Sequence, residues 1–127
     1  MAGDLLRLCV RCDELAPHAV RAAMAELPAM GGRRDDALLI ASELVTNAVL
    51  HSLCGPDDFL DVCITSDGWL YISVLDPGAS GGAAEIDERP AGFGGLGLKV
   101  VQAAADRWGT DRRPEGYQVW AEIQLMK

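Results

Sequence analysis

Basic residues are scarce in this sequence. Its 127 residues hold 11 Lys and Arg against 19 Asp and Glu, for a formal net charge of -8, and only Lys99 and Lys127 are lysines. Neutralising a phosphate backbone takes many cations, so nucleic acid is excluded as the main partner and any phosphate binding has to be local. No apolar run approaches the roughly 18–20 residues of a membrane span, and the N-terminus lacks a basic stretch, an apolar stretch and a cleavage site in that order. The expectation is a cytoplasmic protein with no membrane association. Cysteine is limited to Cys9, Cys12, Cys54 and Cys63. Cys9 and Cys12 have the spacing of a zinc-ligand pair, yet no second close pair or His cluster completes a site, and in a strand residues three apart point to opposite faces. The thiols are therefore expected to be structural or incidental. Apolar residues, by contrast, make up 50% of the chain, enough for one ordinary domain spanning residues 1–127.

The patterning predicts the elements in order. Leu5 to Cys12 reads as a strand. A helix opens at Asp13 or Glu14, tolerates Pro17 in its first turn, and runs through Leu15, Val20, Met24 and Leu27 to Pro28. Arg33 to Ser52 contains no Gly or Pro and repeats apolar residues at spacings of three and four, which predicts a long helix. Phe59 to Ser66 and Trp69 to Leu75 alternate around Ser66-Asp67-Gly68, a hairpin signature. Residues 76–95 are rich in Gly and acids and read as a long functional lid. Leu96 to Ala105 predicts another helix. Asp106 to Thr110 and Tyr117 to Leu125 predict two closing strands around a turn at Arg112 to Gly116, and Trp69, Trp108 and Trp120 are expected in the core. This order predicts an α+β two-layer sandwich: a mixed, largely antiparallel sheet covered on one face by about three helices.

The long helix carries the unusual chemistry. Glu43, Asn47 and His51 recur every four residues, so an acid, an amide and an imidazole stack along one helix face beside Ile40, Leu44 and Ala48. A plain core face has no use for such a row, whereas a half-buried site does. His51 reads most simply as a packing or hydrogen-bonding residue. Asp76 follows the apolar run Tyr71 to Leu75, so its carboxylate emerges at a strand end as a hydrogen-bond acceptor. Gly78 permits close backbone approach there. Gly92, Gly94, Gly95 and Gly97 precede or open a helix, where free N–H groups and the positive dipole end favour phosphate oxygens. Lys99 could add charge to such a site or face solvent.

Taken together, Glu43 and Asn47 within ELVTNAVLHS, Asp76-Pro77-Gly78, and Gly94-Gly95-Leu96-Gly97-Leu98 within GGLGLKVVQAAADRWG resemble the N-box and the two glycine boxes of the GHKL ATPases. That group includes gyrase and the histidine kinases. The form of the motifs and the small size most resemble the anti-sigma factor serine kinases and their stand-alone ATP-binding relatives. The resemblance covers residues 14–125 and implies the Bergerat ATP-binding fold with ATP and Mg²⁺ as ligands. It makes Asn47 the Mg²⁺ ligand, Glu43 the catalytic base and Asp76 the acceptor for the adenine amine. Gly78 supports the base, while Gly92, Gly94, Gly95, Leu96, Gly97, Leu98 and Lys99 line the phosphates. It also implies an anti-sigma-factor antagonist and a sigma factor as clients, with a homodimer possible. Two departures stand out. Gly116-Tyr117-Gln118-Val119 replaces the small polar or basic residue often found on the last strand, and Arg89 is the lid's one basic residue. Both would suit a relative that senses ATP without transferring phosphate.

Overall fold

The computed structural model describes residues 3–27, 31–51, 54–77 and 95–125, with side chains for all of these except 3–5, 31, 51 and 95–98. The described elements are β1 (Gly3–Arg11), α1 (Ala16–Met24), a short 3-10 turn (Gly31–Arg33), α2 (Arg34–His51), β2 (Phe59–Ser66), β3 (Trp69–Asp76), α3 (Gly95–Ala104), β4 (Arg107–Arg113) and β5 (Gly116–Gln124). All four strand pairings are antiparallel, in the order β1-β2-β3-β5-β4. The sheet expected as mixed is thus wholly antiparallel among the described residues. Because β3 leads through α3 to the far edge, β5 returns between β3 and β4.

Strand alternation decides which side of the sheet is covered. Leu60, Val62, Ile64, Leu70, Ile72, Val119, Ala121 and Ile123 are buried and share one face. The helices lie on it. α2 is the hub, packing on α1, α3, β3 and β5. Its buried residues Ala37, Ile40, Ala41, Leu44, Val45 and Ala48 fall at spacings of three and four and cover a wide arc. A helix with neighbours on several sides needs that breadth.

Local chemistry sets the ends of these elements. Before α1, the Asp13 carboxylate accepts from the Leu15 N–H at 2.9 Å, and Pro17 sits in the first turn, where its missing donor costs nothing. Ahead of α2, Arg33 gathers three elements. Its Nε donates to Asp36 at 2.9 Å, Nη1 to the Gln124 carbonyl at 3.0 Å, and Nη2 to the Ala104 carbonyl at 3.3 Å. The last contact satisfies a free carbonyl at the end of α3 and fixes that helix against α2. The β2–β3 hairpin turns through Gly68, whose φ of 93° belongs to the left-handed region.

Three expectations need correction. Cys12 and Cys54 form a disulfide with an S–S length of 2.01 Å, and Cys9 and Cys63 are not disulfide-bonded. Cys12 falls just past the end of β1, so strand alternation no longer governs where it points. Of the three tryptophans, Trp108 packs against the core. Trp69 and Trp120 instead stand on the helix-free face, where Trp69 lies 4.4 Å beneath the Arg107 guanidinium and Trp120 stacks on Tyr71. Finally, the turn placed at Arg112 to Gly116 is only Pro114-Glu115, because β4 continues to Arg113 and β5 begins at Gly116.

Candidate functional site

Asn47 is the least expected side chain in the core. It lies on the buried side of α2 beside Leu44, Val45 and Ala48 and is 3% exposed. Among the described residues neither its Oδ1 nor its Nδ2 has a hydrogen-bond partner. An unpaired buried amide costs about 1–3 kcal/mol per group, a penalty natural cores almost always avoid. Such a group makes Asn47 a candidate for contact with a bound molecule. Glu43, one turn earlier, is half-buried. It can therefore act on a group arriving from solvent.

Asp76 ends β3 on the same sheet face as Leu70, Ile72 and Val74, and is also 3% exposed. It therefore faces the helical layer that holds Asn47. Across the ladder it pairs with Tyr117. The neighbouring Gly116 has a φ of 150°, and a Cβ built there would run into the Asp76 carbonyl oxygen and lie 3.0 Å from Pro77 Cα. A side chain at 116 would push the end of β3, and Asp76 with it, out of place. Sequence reasoning read Gly116 only as a turn residue. The overlooked signal was a glycine opening a strand directly after Pro-Glu, a position whose φ favours glycine.

The glycine set divides. Gly78, Gly92 and Gly94 lie outside the described residues. Gly95, Leu96, Gly97 and Leu98 form the first turn of α3, which packs on α2 through a body that includes the fully buried Val101. The first turn of a helix has N–H groups without intrahelical partners, the requirement for holding an anion. Lys99 is exposed in the next turn, and His51 is the last residue of α2. Among the described residues no group of three His, Cys, Asp or Glu could hold a metal ion. A divalent cation here would lean on one protein oxygen, with phosphates and waters completing its shell, a mode that suits Mg²⁺. The orphaned amide of Asn47 fits that need.

A separate depression of about 500 Å³ opens on the helix-free face, lined by Arg7, Asp61, Cys63, Tyr71, Ser73 and Gln118 among others. It lies on the other side of the sheet from Asn47 and Asp76. There Gln118 donates to the Tyr71 hydroxyl at 3.1 Å, and burial pushes the Tyr71 phenol above its ordinary value, with Arg113 pulling it partly back.

Among the described residues, an antiparallel sheet under three helices, with an unpaired buried amide on the central helix, a buried acid at the end of β3 and a helix opened by glycines, makes an α+β domain with a candidate nucleotide site. The chain belongs to the family of histidine kinase-like ATPase domains, whose model matches residues 10–123. Its fold is similar to part of a structure of the RsbU and RsbW domains of Rv1364c from Mycobacterium tuberculosis, with a TM-score of 0.63 and 21% identity over 96% of this chain and 33% of that one. It is also similar to that of the histidine kinase domain of a blue-light activated histidine kinase from Erythrobacter litoralis, with a TM-score of 0.52 and 17% identity over 91% of this chain and 62% of that one. The chain thus spans a third of the first structure and less than two-thirds of the second. None of the curated proteins matches it in sequence. No helix among the described residues is long and apolar enough to cross a membrane.

Proposed function

We propose that this domain is a cytoplasmic protein-serine kinase that uses ATP with Mg²⁺ to phosphorylate a small anti-sigma-factor antagonist, and that a sigma factor is its second client. The observation that carries the reading is the buried amide of Asn47, which has no partner among the described residues for either of its polar atoms. Membership of an ATPase family and the fold shared with a structure containing an RsbW domain support it. In this reading residues 1–127 act as one domain.

Each residue has a role its chemistry can perform. Asn47 offers a neutral oxygen to the cation. Mg²⁺, when bound, neutralises charge on the phosphate oxygens. Asp76 accepts a hydrogen bond from the adenine amine, with Gly78 leaving room for the base. The amides of Gly92 and Gly94 to Leu98 hold phosphate oxygens, and Lys99 adds a charge nearby. Glu43 takes the proton of the attacking serine hydroxyl and orients it. Incubating the protein with γ-labelled ATP and such an antagonist tests the proposal. Label should move to the antagonist with the natural protein and fall at least about a hundredfold with Glu43→Ala. Equal transfer by both removes Glu43 from the chemistry.

A second reading, a module that senses ATP without transferring its phosphate, is favoured by Tyr117, which pairs with Asp76 in the ladder and sets a bulky phenol beside the proposed acceptor for the adenine amine. It predicts ATP-dependent thermal stabilisation with no labelled partner.

A further inference from the structure

We infer that the Cys12–Cys54 bond is a redox clamp: it holds the C-terminal end of α2, the helix that carries Asn47, and its reduction loosens that end and weakens nucleotide binding. The second half rests on the nucleotide reading above.

The bond joins residues 42 apart in sequence and links the end of β1 to the chain just beyond α2. The Cys54 sulfur lies 4.0 Å from the carbonyl oxygen of Ala48, the residue after Asn47. The last four carbonyls of a helix have no intrahelical partner, so its final turn depends on what is packed against it. Here Cys54 packs against the core, and Cys12 is 4% exposed within it. The clamp therefore acts within a turn of Asn47.

Reduction would spare the rest of the fold. The Cys12 N–H still donates to the Asp58 carbonyl at 2.9 Å, and the 55–58 turn closes on itself through Asp58 N–H to the Gly55 carbonyl at 2.9 Å and Gly55 N–H to the Asp58 carboxylate at 2.8 Å. The β1–β2 ladder is independent of the bond. What is lost is the covalent tie between Cys12, at the end of β1, and Cys54, just beyond α2.

The sulfurs differ in access. Cys54 is half-buried and Cys12 buried, so an attacking thiolate reaches Cys54. A dithiol reductant would first form a mixed disulfide at Cys54 Sγ, breaking the protein S–S bond and releasing Cys12 as a thiolate that takes up a proton. The second reductant thiol then displaces Cys54, which is protonated in turn. The reductant leaves as its own disulfide, and the protein has gained two electrons and two protons. In the reducing compartment proposed above, a bond of this kind serves sensing more than permanent bracing.

The test compares the full chain after air oxidation with the same chain reduced by a phosphine, in a Cys9→Ser/Cys63→Ser background that blocks exchange with the other two cysteines. Hydrogen exchange at amides 48–51 should speed up about tenfold on reduction while β2 and β3 stay protected. Calorimetry with ATP and Mg²⁺ should show affinity weakened about three- to tenfold. Reoxidation should restore both. A Cys12→Ser/Cys54→Ser variant should match the reduced protein, and if that variant does not fold, reversible reduction of the parent still decides. Equal exchange in the two forms overturns the clamp, and so does equal affinity in two forms that both bind. Exchange that rises on reduction while neither form binds ATP overturns the nucleotide reading and leaves the mechanical clamp standing.

Discussion

Replacing Asn47 by leucine should make the nucleotide-free protein more stable and deaf to ATP. Asn47 is 3% exposed with both amide atoms unpaired among the described residues, so the native fold carries a desolvation penalty of about 1–3 kcal/mol for each. Leucine keeps the branching at Cγ and removes both penalties. Its larger methyl groups add strain of about 1–3 kcal/mol in the surrounding core. The net expectation is a gain of about 1–2 kcal/mol, read as a rise in Tm of roughly 3–8 °C for a chain of this size. With ATP and Mg²⁺ at a hundred times Kd, linkage should stabilise the natural protein by about 2.7 kcal/mol more, and the variant by almost nothing. Differential scanning calorimetry with and without nucleotide measures both effects. A variant less stable than the parent without nucleotide would show that Asn47 is a structural residue whose partner has been missed. A variant that keeps the full nucleotide shift would remove Asn47 from the site.

Three other substitutions probe the frame around the site. Gly116→Ala forces a Cβ against the Asp76 carbonyl at a φ of 150°; urea denaturation should show a loss of about 2–4 kcal/mol, with ATP affinity falling in whatever remains folded, and an unchanged midpoint would refute the contact. Arg33→Met keeps the aliphatic stem but strips the donors reaching Asp36, Ala104 and Gln124; a loss of about 1–3 kcal/mol is expected by chemical denaturation, with proteolysis reaching α3 first. Burial raises the folded pKa of Tyr71 above 10.0, so its contribution is complete below that pH and is lost as pH rises through the folded value. Tyr71→Phe should cost about 1 kcal/mol near neutrality through the lost bond from Gln118, and should flatten the alkaline decline in urea midpoint.

The α2 helix was legible from sequence because a long stretch without Gly or Pro, with apolar residues at spacings of three and four, leaves few alternatives. The observed bounds, Arg34–His51, fall one residue inside the expected ones at each end. The β2–β3 hairpin was equally clear, since alternation and the Asp67-Gly68 turn point the same way. Asn47 and Asp76 were singled out by residue type in an apolar setting, and both prove to be buried. Gly116 escaped as a site residue because its role depends on a strand forty residues away. The cysteine pair escaped for a related reason: spacing along the chain drew attention to Cys9 and Cys12, while the bond joins Cys12 to Cys54.

The sequence by itself determined the number and kind of elements, because periodicity and turn chemistry are local properties of the chain. It also singled out Glu43 and Asn47 as a candidate site, since an acid and an amide one turn apart in an apolar helix have few structural uses. Only the tertiary structure decided that β5 lies between β3 and β4, that Trp69 and Trp120 stand on the open face, and that Gly116 presses against Asp76. These facts arise from packing between segments far apart in the chain, and no pattern confined to one segment can encode the distance to another.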